Sequence, residues 1–246
     1  MVIIMIKFTN SKMNQFTYKD WIRYFKRNDK HRLALDFSRE KGLSQKVMDM
    51  LFPSIQAFQK GEGSDGSYLM KTVEKFIEKS GETDCREAMI LFIKEENQHS
   101  AYLKQYMDHY QIDVAEKSFL DTAFRKLRQL GGLKCEITVL VTAEIIALTY
   151  YNAIFNCTGS RALRGICNQM MHDELRHIMF QSHTLSHFKV HAIDRVIRIL
   201  IMRMTSVFVW AAFHNVFQAG GYSYFLFMRE NLEYLHQSIY LTEKSN

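Results

Sequence analysis

Between residues 84 and 109 the apolar positions Met89, Phe92, Leu103 and Tyr106 return at steps of three and four or their sums, and the same rhythm recurs over most of the chain. That period matches the 3.6-residue turn of an amphipathic helix. Interruptions at GSDGS, SGETD, Gly131-Gly132, NCTGS and HFKVHAID punctuate it. Helices are therefore predicted over 54–79, 84–109, 114–129, 133–156, 160–187 and 192–240, the last broken at Gly220-Gly221. Residues 17–50 carry charges and aromatics at helical spacing, as in WIRYFKR, and predict short helices packed on the outside.

Composition narrows the class. One Pro and eleven Gly in 246 residues are too few for a sandwich or barrel, which needs a turn every dozen residues, so the fold is expected to be all-α. A 47% hydrophobic chain of this length can bury one large core, and a single domain over 1–246 is expected. The formal charge of +6 permits an acidic partner such as a small electron carrier, a nucleic acid or an anionic membrane surface and selects none of them, the Lys and Arg being spread along the chain. It reads first as a solvated basic surface, a nucleic-acid partner being the lesser expectation. Cys85, Cys135, Cys157 and Cys167 show no C-x-x-C spacing and read as reduced structural thiols of a cytoplasmic protein. The opening MVIIMIK is too short for a signal-peptide core. The apolar stretch 197–217 contains Arg198, Arg203 and His214, so it is expected to be a buried or half-buried helix with no membrane contact.

Polar residues interrupt the apolar lines at particular places. Glu96 and His99 lie in the middle of the Met89, Phe92, Leu103, Tyr106 line, and Glu174 and His177 hold the equivalent place among Cys167, Met170 and Gln181. A third line, Ile137, Leu140, Leu148 and Tyr151, has Glu144 at its centre. Buried carboxylates need protonation, a partner or a metal, and converging acids and imidazoles would repel each other unless cations held them. Residues i and i+3 share a helix face, so each E-x-x-H can place both side chains on one ion. Oxygen-rich ligation with one imidazole per metal suits iron or manganese, where a closed zinc site would favour Cys and His. The segment before residue 84 should supply a further ligand. Glu62, in line with Ile55, Phe58, Gly66, Leu69 and Val73, is the first candidate, with Asp65 its replacement.

The order Glu62, Glu96-x-x-His99, Glu144, Glu174-x-x-His177 resembles that of the ferritin-like di-iron carboxylate proteins, over about residues 54–187. The resemblance implies a ferritin-like four-helix bundle flanked by an N-terminal extension over 1–53 and a C-terminal cap over 188–246. It also implies two Fe ions, or a Mn/Fe pair. The DELRH run fits the D-E-x-R-H pattern of oxygen-activating members, with Asp173 and Arg176 beside the ligands; in EENQH, Glu95 replaces the Asp and Gln98 the Arg. By that likeness Asp173 and Glu95 would orient His99 and His177, and Glu144 or Glu174 would change coordination mode during catalysis.

Three functions compete at this level. The first is an oxygenase or oxidase using dioxygen, an external electron donor such as a ferredoxin, and a small apolar or aromatic substrate. The second is an iron-oxidising storage or peroxide-detoxifying protein, and the third a basic helical RNA-binding or tRNA-modifying protein. The oligomeric state is open, a homodimer included. His172 and His183 read as surface groups; Tyr102, Tyr106, Tyr150 and Tyr151 could neighbour the metals, with core filling the expected role of most of them. The aromatic C-terminal segment reads as packing that could cap the bundle and wall a pocket.

Overall fold

A computed structural model describes residues 6–40, 42–63, 66–115 and 126–244, and among these the regular structure is helical throughout. A 3-10 turn at Lys12–Gln15 leads into α1 (Tyr18–Asn28), α2 (Gln45–Glu62), α3 (Ser67–Ser80) and α4 (Asp84–His109). Then follow α5 (Leu133–Cys157), α6 (Arg161–Ser186), α7 (Ala192–Ala219) and α8 (Tyr224–Lys244). The helix expected over 114–129 falls largely outside the described residues.

α5 is apolar on every side and buried along nearly its whole length, which makes it the central post. It packs on α6, α7, α8 and α3, while α4 packs on α1, α2, α3 and α6. The α2, α4, α5 and α6 helices carry Glu62, the two E-x-x-H pairs and Glu144.

Three expectations need correction. The helix expected over 54–79 is two helices. Glycines weaken the segment after Gln59, and Gly66 adopts φ 65°, a left-handed conformation with its Cβ direction filled by Ile93. Glu62 therefore ends α2 in place of occupying a mid-helix turn. α2 also starts nine residues earlier than expected and runs through Pro53, despite the hydrogen bond that proline removes.

The N-terminal helix is not external. Thr17 and Asp20 form a reciprocal cap that fixes the start of α1. Trp21 and Phe25 then reach fully buried positions, their rings 5.5 and 5.3 Å from that of Phe180 on α6. The charges of WIRYFKR lie on the opposite side of the same turn pattern. The third correction is a kink in α7 at Phe213, ahead of the expected break near Gly220; the helix is half-buried as expected, its inner side buried and its outer side exposed. All four cysteines are free.

Candidate metal centre

Each stripe read from the sequence turns inward. Glu62, His99, Glu144, Glu174 and His177 are buried, and Glu96 keeps 16% of its side-chain surface exposed. The nearest ligand atoms of Glu96, His99, Glu174 and His177 all lie within 4.8 Å of one another, a group that could hold a metal ion.

Both imidazoles present Nδ1 to the carboxylates and turn Nε2 away. His99 Nδ1 lies 3.9 Å from Glu62, 3.9 Å from Glu96 and 3.3 Å from Glu174. His177 Nδ1 lies 2.7 Å from Glu96, 3.9 Å from Glu144 and 3.2 Å from Glu174. The arrangement has two lobes: Glu96 and Glu174 are common to both, while Glu62 belongs to His99 and Glu144 to His177.

The outward Nε2 atoms are held across the helix pair. His99 Nε2 meets Asp173 at 3.2 Å, and His177 Nε2 meets Glu95 at 2.8 Å. The acid that precedes each motif thus supports the imidazole of the other. Arg176 does not join them: its guanidinium donates to the backbone carbonyl of His172, one turn back on the outer side. Asp65 lies outside the described residues.

Further side chains hold these carboxylates, and of them the sequence offers only Tyr151 as a neighbour of the expected metals. Asn28, the last residue of α1, donates from its amide to Glu95 at 2.7 Å and to Asp173 at 3.0 Å. Gln169 donates to Asp173 at 2.8 Å, and His172, read as a surface group, places Nδ1 3.0 Å from the same carboxylate. Tyr151 donates to Glu62 Oε1 at 2.5 Å, and Gln181 to Glu144 Oε1 at 2.6 Å. Tyr151 and Gln181 already stood on the inward stripes, so helical spacing could have assigned them to the site. Asn28 had no such signal.

Protons are distributed unevenly. Burial pushes the Glu174 carboxyl up to about 8, reinforced by the charges of Glu144 and Glu96. Burial also raises Glu62, with Glu174 and Glu96 adding to it. Burial opposes ionisation of Glu144 as well, but hydrogen bonds involving Glu174 and His177 outweigh it and hold that group low. Both imidazoles are lifted against the effect of burial, His99 by Asp173 and Glu174, His177 by Glu96 and Glu144.

No known protein family, characterised protein or solved structure matches this chain. What the site can do follows from its donors. Six carboxylates, those of Glu62, Glu95, Glu96, Glu144, Asp173 and Glu174, surround two imidazoles. Even with both imidazoles charged, acid is in excess. Three buried ligand atoms in the middle, Glu96 Oε1, His99 Nδ1 and Glu174 Oε1, have no well-aligned hydrogen bond, their contacts at 2.7 Å (Glu96 with His177) and 3.3 Å (His99 with Glu174) being ion-pair approaches only. Unsatisfied atoms of this kind in an apolar interior cost free energy, and a cation would satisfy all three. The residues present fit a metal.

A cavity of about 130 Å³ reaches Glu62, Glu96 and Glu144, walled mainly by apolar groups, Phe58, Leu140, Ile146 and Val209 among them, with Arg128 also in its lining. Val209 comes from α7, so the C-terminal segment does wall a pocket beside the carboxylates.

Proposed function

We propose that this protein is a ferritin-like di-metal oxygenase or oxidase that uses dioxygen to oxidise a small, apolar or aromatic molecule, with two iron ions or a manganese-iron pair. The observation that carries the reading is the two-lobed geometry: one imidazole and one lone glutamate per lobe, with Glu96 and Glu174 between them. A single ion would leave one lobe's imidazole and carboxylates uncompensated.

Glu62 and His99 would hold one ion and Glu144 and His177 the other, with Glu96 and Glu174 available between them. Reduced iron at such a site supplies electrons to dioxygen. The chain's own groups prepare the site for it. Tyr151 and Gln181 each engage one oxygen of a lone glutamate, leaving Oε2 as the atom nearest the imidazole. Asp173 and Glu95 accept from the outward imidazole nitrogens, which fixes ring orientation and keeps Nδ1 free as a ligand. Phe25 and Phe92 lie 6.3 and 4.9 Å from the His177 ring and exclude water from that side. The cavity beside Glu62 offers an apolar molecule a place next to the reacting centre. An external donor would return the electrons.

The test is anaerobic reduction of iron-loaded protein, then exposure to limited dioxygen. Uptake in proportion to the number of sites, with no mineral core, is expected. Continued oxidation of added ferrous iron into a large core would assign storage instead. Iron-independent RNA binding with no dioxygen uptake would contradict the proposal.

A further inference from the structure

α7 is polarised the wrong way round for a helix on the surface of a water-soluble bundle. Its buried side carries Arg198, Thr205 and Ser206 along with Met202 and Val209. Two of them bond to polar groups of α8: Arg198 donates to Ser238 at 2.6 Å and to Thr242 at 3.3 Å, while its Nε has no partner. Asn231 donates to Ser206 at 3.2 Å and accepts from Thr149 at 2.9 Å. The outer side, by contrast, exposes Ile193, Val196, Ile197 and Leu200, then Met204, Val207 and Phe208. These positions recur at steps of three and four or their sum, so they form one stripe, about 23 Å long and ending before the kink at Phe213. Phe225, 82% exposed, follows at the start of α8. Small polar groups between helices and apolar groups outside is the pattern of helices packed in lipid, and a continuous exposed stripe of this size marks a contact surface.

Charge selects the occupant. Among the exposed residues of α7 from 193 to 212 the charged ones are Arg195 and Arg203, with no acid. Arg203 borders the stripe, where its stem can lie along apolar surface with the guanidinium turned to lipid headgroups. Nearby acids are largely neutralised, Asp194 by Lys134 and Glu243 by Arg195, and Glu230 is buried. A chain of formal charge +6 is attracted to an anionic bilayer and repelled by a second copy of itself. The length and hydropathy of Ala192–Ala219 would suffice to cross a membrane, but Arg195, Arg198 and Arg203 favour a helix lying in the surface over one spanning it.

We propose that the outer face of α7 docks this protein in the plane of an anionic lipid bilayer. The inference stands independently of the metal reading. It is tested by flotation of the full chain with phosphatidylcholine vesicles, with and without phosphatidylglycerol as about a third of the lipid. Analytical ultracentrifugation is run in parallel. The wild type is expected to float with the anionic vesicles. The double variant Leu200→Glu, Phe208→Glu is expected to partition about tenfold more weakly with its helix content unchanged, since both side chains are exposed. Arg203→Glu is expected to weaken binding to anionic vesicles only. Three results would overturn the proposal: no flotation with either vesicle, equal flotation of wild type and double variant, or a dimer that Leu200→Glu splits while vesicle binding is absent. The second would mean adsorption through the basic surface, and the third an interface between copies.

Discussion

Asn28 donates from one amide to two carboxylates, each of which holds the imidazole of the opposite E-x-x-H pair. Removing that amide frees Glu95 and Asp173 to rotate and loosens both rings together. Asn28→Ala is expected to weaken metal binding by about 10- to 100-fold with helix content preserved, measured by competition with a chelator. Unchanged affinity would show that packing alone sets ring orientation. A second prediction concerns protons. In the metal-free protein burial lifts Glu174 from 4.5 to about 8, and Glu62, His99 and His177 are raised as well. Groups that bind protons more tightly when folded stabilise the fold below their unfolded values and lose that contribution as pH rises. The melting temperature of metal-free protein should therefore fall between about pH 5 and 8. Metal affinity should rise across the same interval, because a cation must displace the Glu174 proton. A melting temperature that climbed with pH there would oppose this assignment of protons. The ligand positions were legible because spacing of three and four puts acid and imidazole on one face. Asn28 was not, because its partners lie 67 and 145 residues away and nothing local marks it.

The helices themselves show where local sequence suffices. α4 occupies the range that periodicity predicts, since its inward stripe continues unbroken from Met89 to Tyr106, whereas α2 does not, because packing on α4 and α7 outweighs the cost of Pro53. The amphipathic rhythm of α1 was visible, but its depth was not: burial of Trp21 and Phe25 depends on the α6 surface they meet. Gly220 poses a different kind of problem. Its φ of −79° suits any residue, yet an added Cβ would sit 2.4 Å from the carbonyl oxygen of Ala153 on α5. The glycine is there for close approach of the α7–α8 turn to the central helix. Gly220→Ala is expected to destabilise the protein by about 1–3 kcal/mol in urea unfolding, by pushing that turn off α5. A variant as stable as wild type would mean the turn can shift at no cost.

On the scale of the molecule, the site couples segments far apart in sequence. Glu62 ends α2, the two motifs sit mid-helix on α4 and α6, and Glu144 comes from the central α5. Cations between them would tie four helices together, so loading with ferrous iron should raise the melting temperature, with the gain growing as free metal increases. An unaltered transition would mean that metal and fold are not linked. The all-helical class and the core were legible from the scarcity of Pro and Gly and from the 3.6-residue rhythm. Which side of α7 faces outward was not, because a hydrophobic stripe looks the same in sequence whether protein or solvent lies outside it. The most direct measurement is metal content of protein purified from iron- and manganese-supplemented cells, beside Glu96→Ala and His177→Ala of matched helix content. About two ions per wild-type chain, with each variant losing at least one, is the predicted result. Fewer than about one ion in the wild type, or full occupancy in either variant, would contradict the di-metal site.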